Sequence, residues 1–480
     1  MFVQLVLWSP PGQRITSNFE IEQTVNIVLL STYELGRQPF GLASPAAWLR
    51  EAGTAVTCCD LSRSPFPQKE VLTADLVAFY LPMHTATRLA FPWVERVRAL
   101  NPLAHLCFYG LYAPINEHYL RKLGAQTILG GEFEEGLVTL VRRLAVSTKT
   151  TPEGQTEPVI SIARQQFRIP DRTGLPGLDR YAKLDAGDGS ERLVGYTEAS
   201  RGCRHLCHHC PIVTVYKGRF RIVQRDVVLA DIRQQVAAGA AHITFGDPDF
   251  FNGIGHSLAL VEALHREHPR LTYDVTIKIE HLLRYAHHLR TLRRTGCLFV
   301  VSAVESLDDR ALQMLDKGHT REDFARIVEL FREVGLTLSP TFIPFAPWTT
   351  VSSYRELLAQ LAEMDLIENV APVQLAIRLL IPPGSALLAI PEISACVEGF
   401  DEKELSYRWS HADPRVEELY REVRKVVTTG QAAGLPRLQL FIRVWEATQQ
   451  VAGDPPEAAF FAEALLSRAA IPYINEPWFC

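Results

Sequence analysis

From Val25 onward, short apolar runs alternate with segments whose apolar positions recur at helical spacing. "VNIVLL" (25–30), "TAVTCCDL" (54–61), "ADLVAFYL" (74–81), "AHLCFYG" (104–110) and "AQTILGG" (125–131) read as strands. Between and after them, "SPAAWLREAG" (44–53), a stretch near 91–100 and "EEGLVTLVRRLA" (134–145) read as helices, the first ended by Gly53. Continuous apolar strands separated by helices predict a parallel sheet covered on both faces. Residues 25–145 are therefore expected to form a small doubly wound, Rossmann-like domain. Its ligand loops would be 31–41 and 81–88, beyond the carboxyl ends of the strands.

A Thr-, Pro- and Gly-rich stretch follows ("STKTTPEGQTEP", "IPDRTGLPGLDR"), and 146–190 reads as a linker draped over a neighbour. The alternation then resumes. "VGYTEAS" (194–200), "HITFGD" (242–247), "LTYDVTIKI" (271–279), "CLFVVSAVE" (297–305), "LTLSPTFIPF" (336–345) and "PVQLAIRLL" (372–380) read as six strands. Helices over 226–238 and 281–295 separate some of them. Thr320 and Asp323 offer a capping box to the helix "EDFARIVELFREVG". Six β/α units predict a partial TIM-like barrel over 191–395 with its chemistry at the carboxyl-end loops. Residues 396–480 read as a charged helical region, and 1–24 as a loose extension or an early start. The fold class is α/β throughout.

Composition narrows the setting. The chain has 480 residues, 47% hydrophobic and 21% charged, the balance of an ordinary globular protein. A net charge of -5 with no basic face gives no reason to expect nucleic acid. No apolar run is long enough to span a membrane, and "MFVQLVLWSPPGQR" lacks the basic start of a secretory signal, so a cytoplasmic location is expected. Nine scattered cysteines do not suggest a disulfide framework. Cys58, Cys59, Cys107 and Cys297 lie in or beside apolar runs and read as buried small hydrophobes.

"RGCRHLCHHCPI" (201–212) differs, with Cys203, Cys207 and Cys210 following the first strand of the second series. Three thiolates so spaced reach at most about 25 Å end to end and can wrap one metal centre. One reading is a [4Fe–4S] cluster with an iron left open, since such clusters take four ligands and no fourth cysteine is near. The other is structural zinc with His205, His208 or His209 as fourth ligand, in a binding module without radical chemistry.

Cys-x3-Cys-x2-Cys at the end of the first strand of such a series resembles the radical SAM superfamily. The resemblance implies that Cys203, Cys207 and Cys210 bind the cluster. The open iron would hold S-adenosylmethionine (SAM), whose C–S bond is cleaved after one electron arrives. It also implies SAM contacts in later segments. In "FGDPDFF" (245–251) these are Gly246, for close backbone approach, and Asp247, for the ammonium. In "TIKIEH" (276–281), Lys278 and Glu280 would share one side of a strand and meet the carboxylate and ribose. In "VSAVES" (301–306) they are Ser302, standing where a glycine is common, and Glu305; Arg378, a charge inside an apolar strand, could meet a carboxylate. His209 occupies a slot where an aromatic is common.

"LASPAAWLREAGTAVTCCDL" and "ILGGEFEEGLVTLV" resemble the cobalamin-binding-type domain that precedes many such cores. Cobalamin is thus a candidate cofactor, although Asp-x-His-x-x-Gly is missing around His84. More narrowly, "STYELGRQPFGLASPAAWLR", "RGCRHLCHHCPIVTVY", "FGDPDFFN" and "NEPWFC" resemble the CUAEP/CCAEP-tail radical SAM proteins, whose tail ends Cys-Sec-Ala-Glu-Pro or Cys-Cys-Ala-Glu-Pro. Cys480 would be the first tail thiol, with the selenocysteine codon read as a stop. The implied partners are a small-molecule or peptide substrate and an electron donor such as flavodoxin or ferredoxin.

Overall fold

The computed structural model describes residues 25–146, 156–187, 189–453 and 471–475. The 1–24 extension, the helix expected over 456–470 and Cys480 lie outside them.

The first five apolar runs form β1 (Asn26–Ser31), β2 (Ala55–Asp60), β3 (Leu76–Tyr80), β4 (His105–Tyr109) and β5 (Thr127–Gly131). They are parallel in the order β2-β1-β3-β4-β5, and β6 (Ile160–Ser161) extends the β5 edge. The strand order reverses at β1, which puts a crevice beyond the carboxyl ends of β1 and β3. Helices Phe40–Glu51 and Glu134–Val146 cover one face, and His84–Leu100 covers the other. The last begins at His84, so the expected 81–88 loop shrinks to three residues.

After β7 (Lys183–Asp185) come β8 (Glu191–Thr197) and a short hairpin, β9 (Ser200–Gly202) with β10 (Phe220–Ile222). β11 (His242–Phe245), β12 (Thr272–Thr276), β13 (Cys297–Glu305) and β14 (Thr337–Phe342) complete the second sheet. Its order is β14-β13-β12-β11-β8-β7-β17, where β17 is Tyr473–Ile474. β8 and β11 to β14 are parallel, while β7 and β17 are antiparallel additions. The sheet curls as a half-barrel, and Ile243, Phe245, Tyr273, Val275, Val300 and Phe342 form a buried core with residues of the covering helices such as Ile232, Leu260 and Phe324. The capping box forms as read: Thr320 and Asp323 bond reciprocally at the start of the helix Arg321–Val334.

Three expectations change. The sixth strand is reduced to one parallel bridge, Phe345 to Arg378, because Pro372–Leu375 forms a 3-10 turn. The stretch after 146 is more than a drape. Phe167 and Leu178 are buried in the half-barrel core, and Arg172 makes a two-pronged ion pair with Asp231 of the helix Arg225–Ala237. The C-terminal region opens with a hairpin, β15 (Val397–Asp401) with β16 (Ser406–Trp409), before helices Pro414–Ala432 and Arg437–Ala452. Among the described residues, no helix is long and apolar enough to cross a membrane.

Candidate functional site

The cysteine loop leaves β9 at the mouth of the half-barrel. Gly202 has φ +75°, and a Cβ there would lie 2.3 Å from the Tyr216 ring, so only glycine lets the chain turn here. Cys207 is buried, Cys203 and Cys210 are half-buried, and all three are free thiols. Burial first, and the neighbouring Cys207 and Cys203 with it, push the Cys210 thiol up to about 12. Cys203 is also raised, by burial first and by Asp249 and Cys207 as well. Three soft donors lie close enough to repel one another as thiolates. A bound cationic centre removes that penalty, so the donor set fits a thiophilic metal site.

Each of the three histidines ties this loop to a different element. His205 Nε2 lies 3.2 Å from Asp249 Oδ2, which also meets His281 Nδ1 at 2.7 Å. His208 Nδ1 meets the Met314 carbonyl at 2.7 Å, and the His208 amide donates to the Leu315 carbonyl. His209 Nε2 lies 3.1 Å from Glu305 Oε1. Asn252 Oδ1 accepts from the Arg204 amide. Such anchoring holds three ligand atoms in place before any metal arrives.

The other candidates fall around this loop unevenly. Gly246 follows β11, and a Cβ on it would overlap the Tyr196 hydroxyl. Asp247 is buried and accepts from the Ala199 amide (2.9 Å) and the Ser200 hydroxyl (2.5 Å), bracing the turn that leads to the cysteines. β12 ends at Thr276, so Lys278 and Glu280 do not share a strand face. Glu280 starts the helix Ile279–Arg284, yet its carboxylate still meets Lys278 Nζ at 3.2 Å, which also lies 3.2 Å from His205 Nδ1. The Ser302 hydroxyl donates to the Ile277 carbonyl within the sheet. Glu305 has φ +70°. Burial alone would raise its carboxyl, but Lys317 (3.3 Å) and His209 hold it down to about 2. Arg378 is not brought to the loop. Its guanidinium forks onto Glu417 (2.9 and 3.0 Å) and stacks 3.7 Å from the Trp409 ring, so its partner is a protein carboxylate.

Comparison with known proteins bears directly on this arrangement. Residues 197–361 match the model of the Radical SAM superfamily. The chain therefore carries a radical SAM domain over that stretch. The cofactors of such a domain are a [4Fe–4S] cluster and SAM. The hopanoid C-3 methylase of Methylococcus capsulatus is 26% identical over 151 residues, covering 32% of this chain and 29% of that protein. The tRNA-2-methylthio-N(6)-dimethylallyladenosine synthase of Syntrophomonas wolfei is 21% identical over 337 residues, covering 65% and 67%. In fold, the chain resembles the cobalamin-dependent radical SAM enzyme OxsB with aqua-cobalamin bound. The TM-score is 0.66 at 14% identity, over 85% of this chain and 67% of that one. The chain thus spans between about a third and two thirds of the curated relatives it matches.

The radical SAM domain meets the Rossmann-like domain through the cysteine loop itself. The helix Pro211–Tyr216, which starts beside Cys210, buries Val215 and Tyr216 in the first domain's core. Arg201, two residues before Cys203 and 7% exposed, pairs with Glu198 (2.7 Å), Glu134 (2.7 Å) and Glu132 (3.3 Å). Between the domains lies a cavity of about 230 Å³. The OxsB structure has cobalamin bound, and at 14% identity the likeness to it extends to the fold. Among the described residues lining this cavity there is no histidine; His84 lies outside it, with Nε2 at the Glu404 carbonyl.

Sequence reading missed Arg201, Glu132, Glu134, Glu198, Asp249, His281 and Lys317. Asp249 and His281 stood inside segments already singled out, and Arg201 bordered the cysteine motif. What was invisible was the partner of each.

Proposed function

We propose that Cys203, Cys207 and Cys210 hold the [4Fe–4S] cluster and leave one iron to SAM, in an enzyme that starts radical chemistry on a small organic substrate. The observation that carries this reading is three thiols gathered on one braced loop that follows β8 and β9, inside the matched domain. When bound, the cluster supplies the electron that splits a SAM C–S bond.

The chain's own residues position and shield. Gly246 and the Asp247-braced turn form one wall beside the loop, and Lys278 with Glu280 forms another. Ser302 and Glu305 end the strand opposite. We assign SAM to the space they border, with Lys278 for its carboxylate. Zinc is the weaker reading, since all three loop imidazoles are engaged by neighbouring elements. A small substrate is favoured over tRNA, the target named for several relatives, because the interdomain cavity is compact. We keep 25–145, 146–190, 191–395 and 396–480 as the domain division, a cytoplasmic setting, and a flavodoxin- or ferredoxin-type electron donor. The resemblance to the CUAEP/CCAEP-tail family supports a role for Cys480 as a soft tail thiol.

Anaerobic reconstitution tests the assignment. About four iron and four sulfide per chain are expected, with reductant-dependent SAM cleavage. Replacing any one of the three cysteines by alanine should reduce cleavage to background. A colourless protein that holds zinc, or undiminished cleavage in a cysteine variant, would overturn the reading. Product analysis identifies which C–S bond breaks.

A further inference from the structure

The interdomain cavity has a charge balance that the radical chemistry does not explain. Glu34 and Glu198 line it with Arg37 and Arg201, and Glu132 and Glu134 stand behind Arg201. Four carboxylates thus face two guanidiniums. The next charges outward cancel in pairs, Asp60 near Arg63 and Arg172 on Asp231. Arg201 is already held by three carboxylates, and Arg37 lies over the Tyr196 ring at 4.9 Å. Arg37 offsets Glu34 in part, and with four carboxylates to two guanidiniums a negative surplus remains.

Glu34 is the telling residue. It is 8% exposed, and its Oε2 is buried without a hydrogen-bond partner in a cavity it lines. A buried carboxylate oxygen left unpaired is expensive unless it takes a proton or meets a positive group. Burial pushes the Glu34 and Glu198 carboxyls up, so with no guest they lean toward protonation. The remaining walls are aromatic: Phe40, Tyr80, Phe133 and Tyr216 join Tyr196. Electron-rich ring faces around surplus carboxylates are the chemistry that receives an organic cation. At about 230 Å³ the space is below the roughly 300–1,000 Å³ of drug-sized pockets, so the guest is small.

We propose that this cavity binds a small organic cation, an amine or guanidinium compound, with its positive group against Glu34 and Glu198 and its body among the aromatic rings. An anion would face those same two carboxylates. Gly202 and Ile212, which flank the three cysteines, also line the cavity, so the guest sits beside the loop. Its role as substrate rests on the function proposed above; its binding does not.

The test uses the full chain without reductant or SAM. Calorimetry compares tyramine with its neutral alcohol analogue tyrosol and its anionic analogue 4-hydroxyphenylacetate, and adds agmatine as a guanidinium probe. Tyramine or agmatine should bind, tyrosol at least tenfold more weakly than tyramine, and 4-hydroxyphenylacetate not measurably. Glu34→Gln should weaken the cation at least tenfold and leave tyrosol binding unchanged, which separates lost charge from lost fold. Tyramine and SAM should bind together. Equal binding of the three aryl compounds, preference for the anion, no binding of either cation at millimolar concentration, or displacement of tyramine by SAM would each overturn the proposal. A chain that binds tyramine but never cleaves SAM keeps this site and removes the radical reading; cleavage without cation preference does the reverse.

Discussion

Asp249 shows how much one side chain contributes to the cysteine loop. It is 1% exposed, caps the turn at Phe251 and faces both His205 and His281. Asp249→Ala leaves the buried His281 and the half-buried His205 without their carboxylate, a loss of about 3–5 kcal/mol by analogy with broken buried pairs. The expected outcome is a lower melting temperature and reduced iron after reconstitution, read by calorimetry and iron analysis. Asp247 sets a pH dependence of the opposite kind. Burial raises its carboxyl from 3.8 to about 7. Between those values the unfolded chain has released a proton that the folded chain keeps, so stability falls as pH rises through that window. Asp247→Asn should flatten the decline, measured as denaturation midpoints from pH 4 to pH 8. Such partners are invisible in sequence. The motif places a carboxylate near the loop, but whether it meets an imidazole, a hydroxyl or nothing depends on segments dozens of residues away.

At the level of elements, the turn from β9 into the loop depends on a glycine. Gly202→Ala adds a methyl against Tyr216 and forces a left-handed backbone on alanine, together about 1–3 kcal/mol. Because Tyr216 is anchored in the Rossmann-like core, the loop is the part expected to move. Loss of the reconstituted cluster's visible absorbance, with the far-ultraviolet spectrum unchanged, would report it. The same scale shows where apolar periodicity sufficed. Five of the six strands of the first sheet and the five parallel strands of the half-barrel were legible, because apolar runs of that length bounded by helices have few other solutions. "PVQLAIRLL" was not, since a short apolar run also suits a turn packed on the core.

For the whole molecule, Arg201 is the joint. It belongs to the half-barrel's loop but is held largely by Glu132 and Glu134 of the other domain. Arg201→Met strands three buried carboxylates, a penalty of about 3–5 kcal/mol concentrated at the interface. Separation into two melting transitions is expected, with a larger radius of gyration in solution scattering. A single transition at the original temperature would mean the domains are held elsewhere.

The sequence by itself determined the parallel strands of the two sheets, their order along the chain and the soft-ligand loop, because periodicity and spacing are local properties. The tertiary structure alone decided what each charge meets. Arg378 turned to Glu417, Arg201 gathered three carboxylates, and Phe167 and Leu178 left an apparent linker for a core. Pairing of charges and burial of isolated aromatics are set by distances across the fold, and no local pattern encodes those distances.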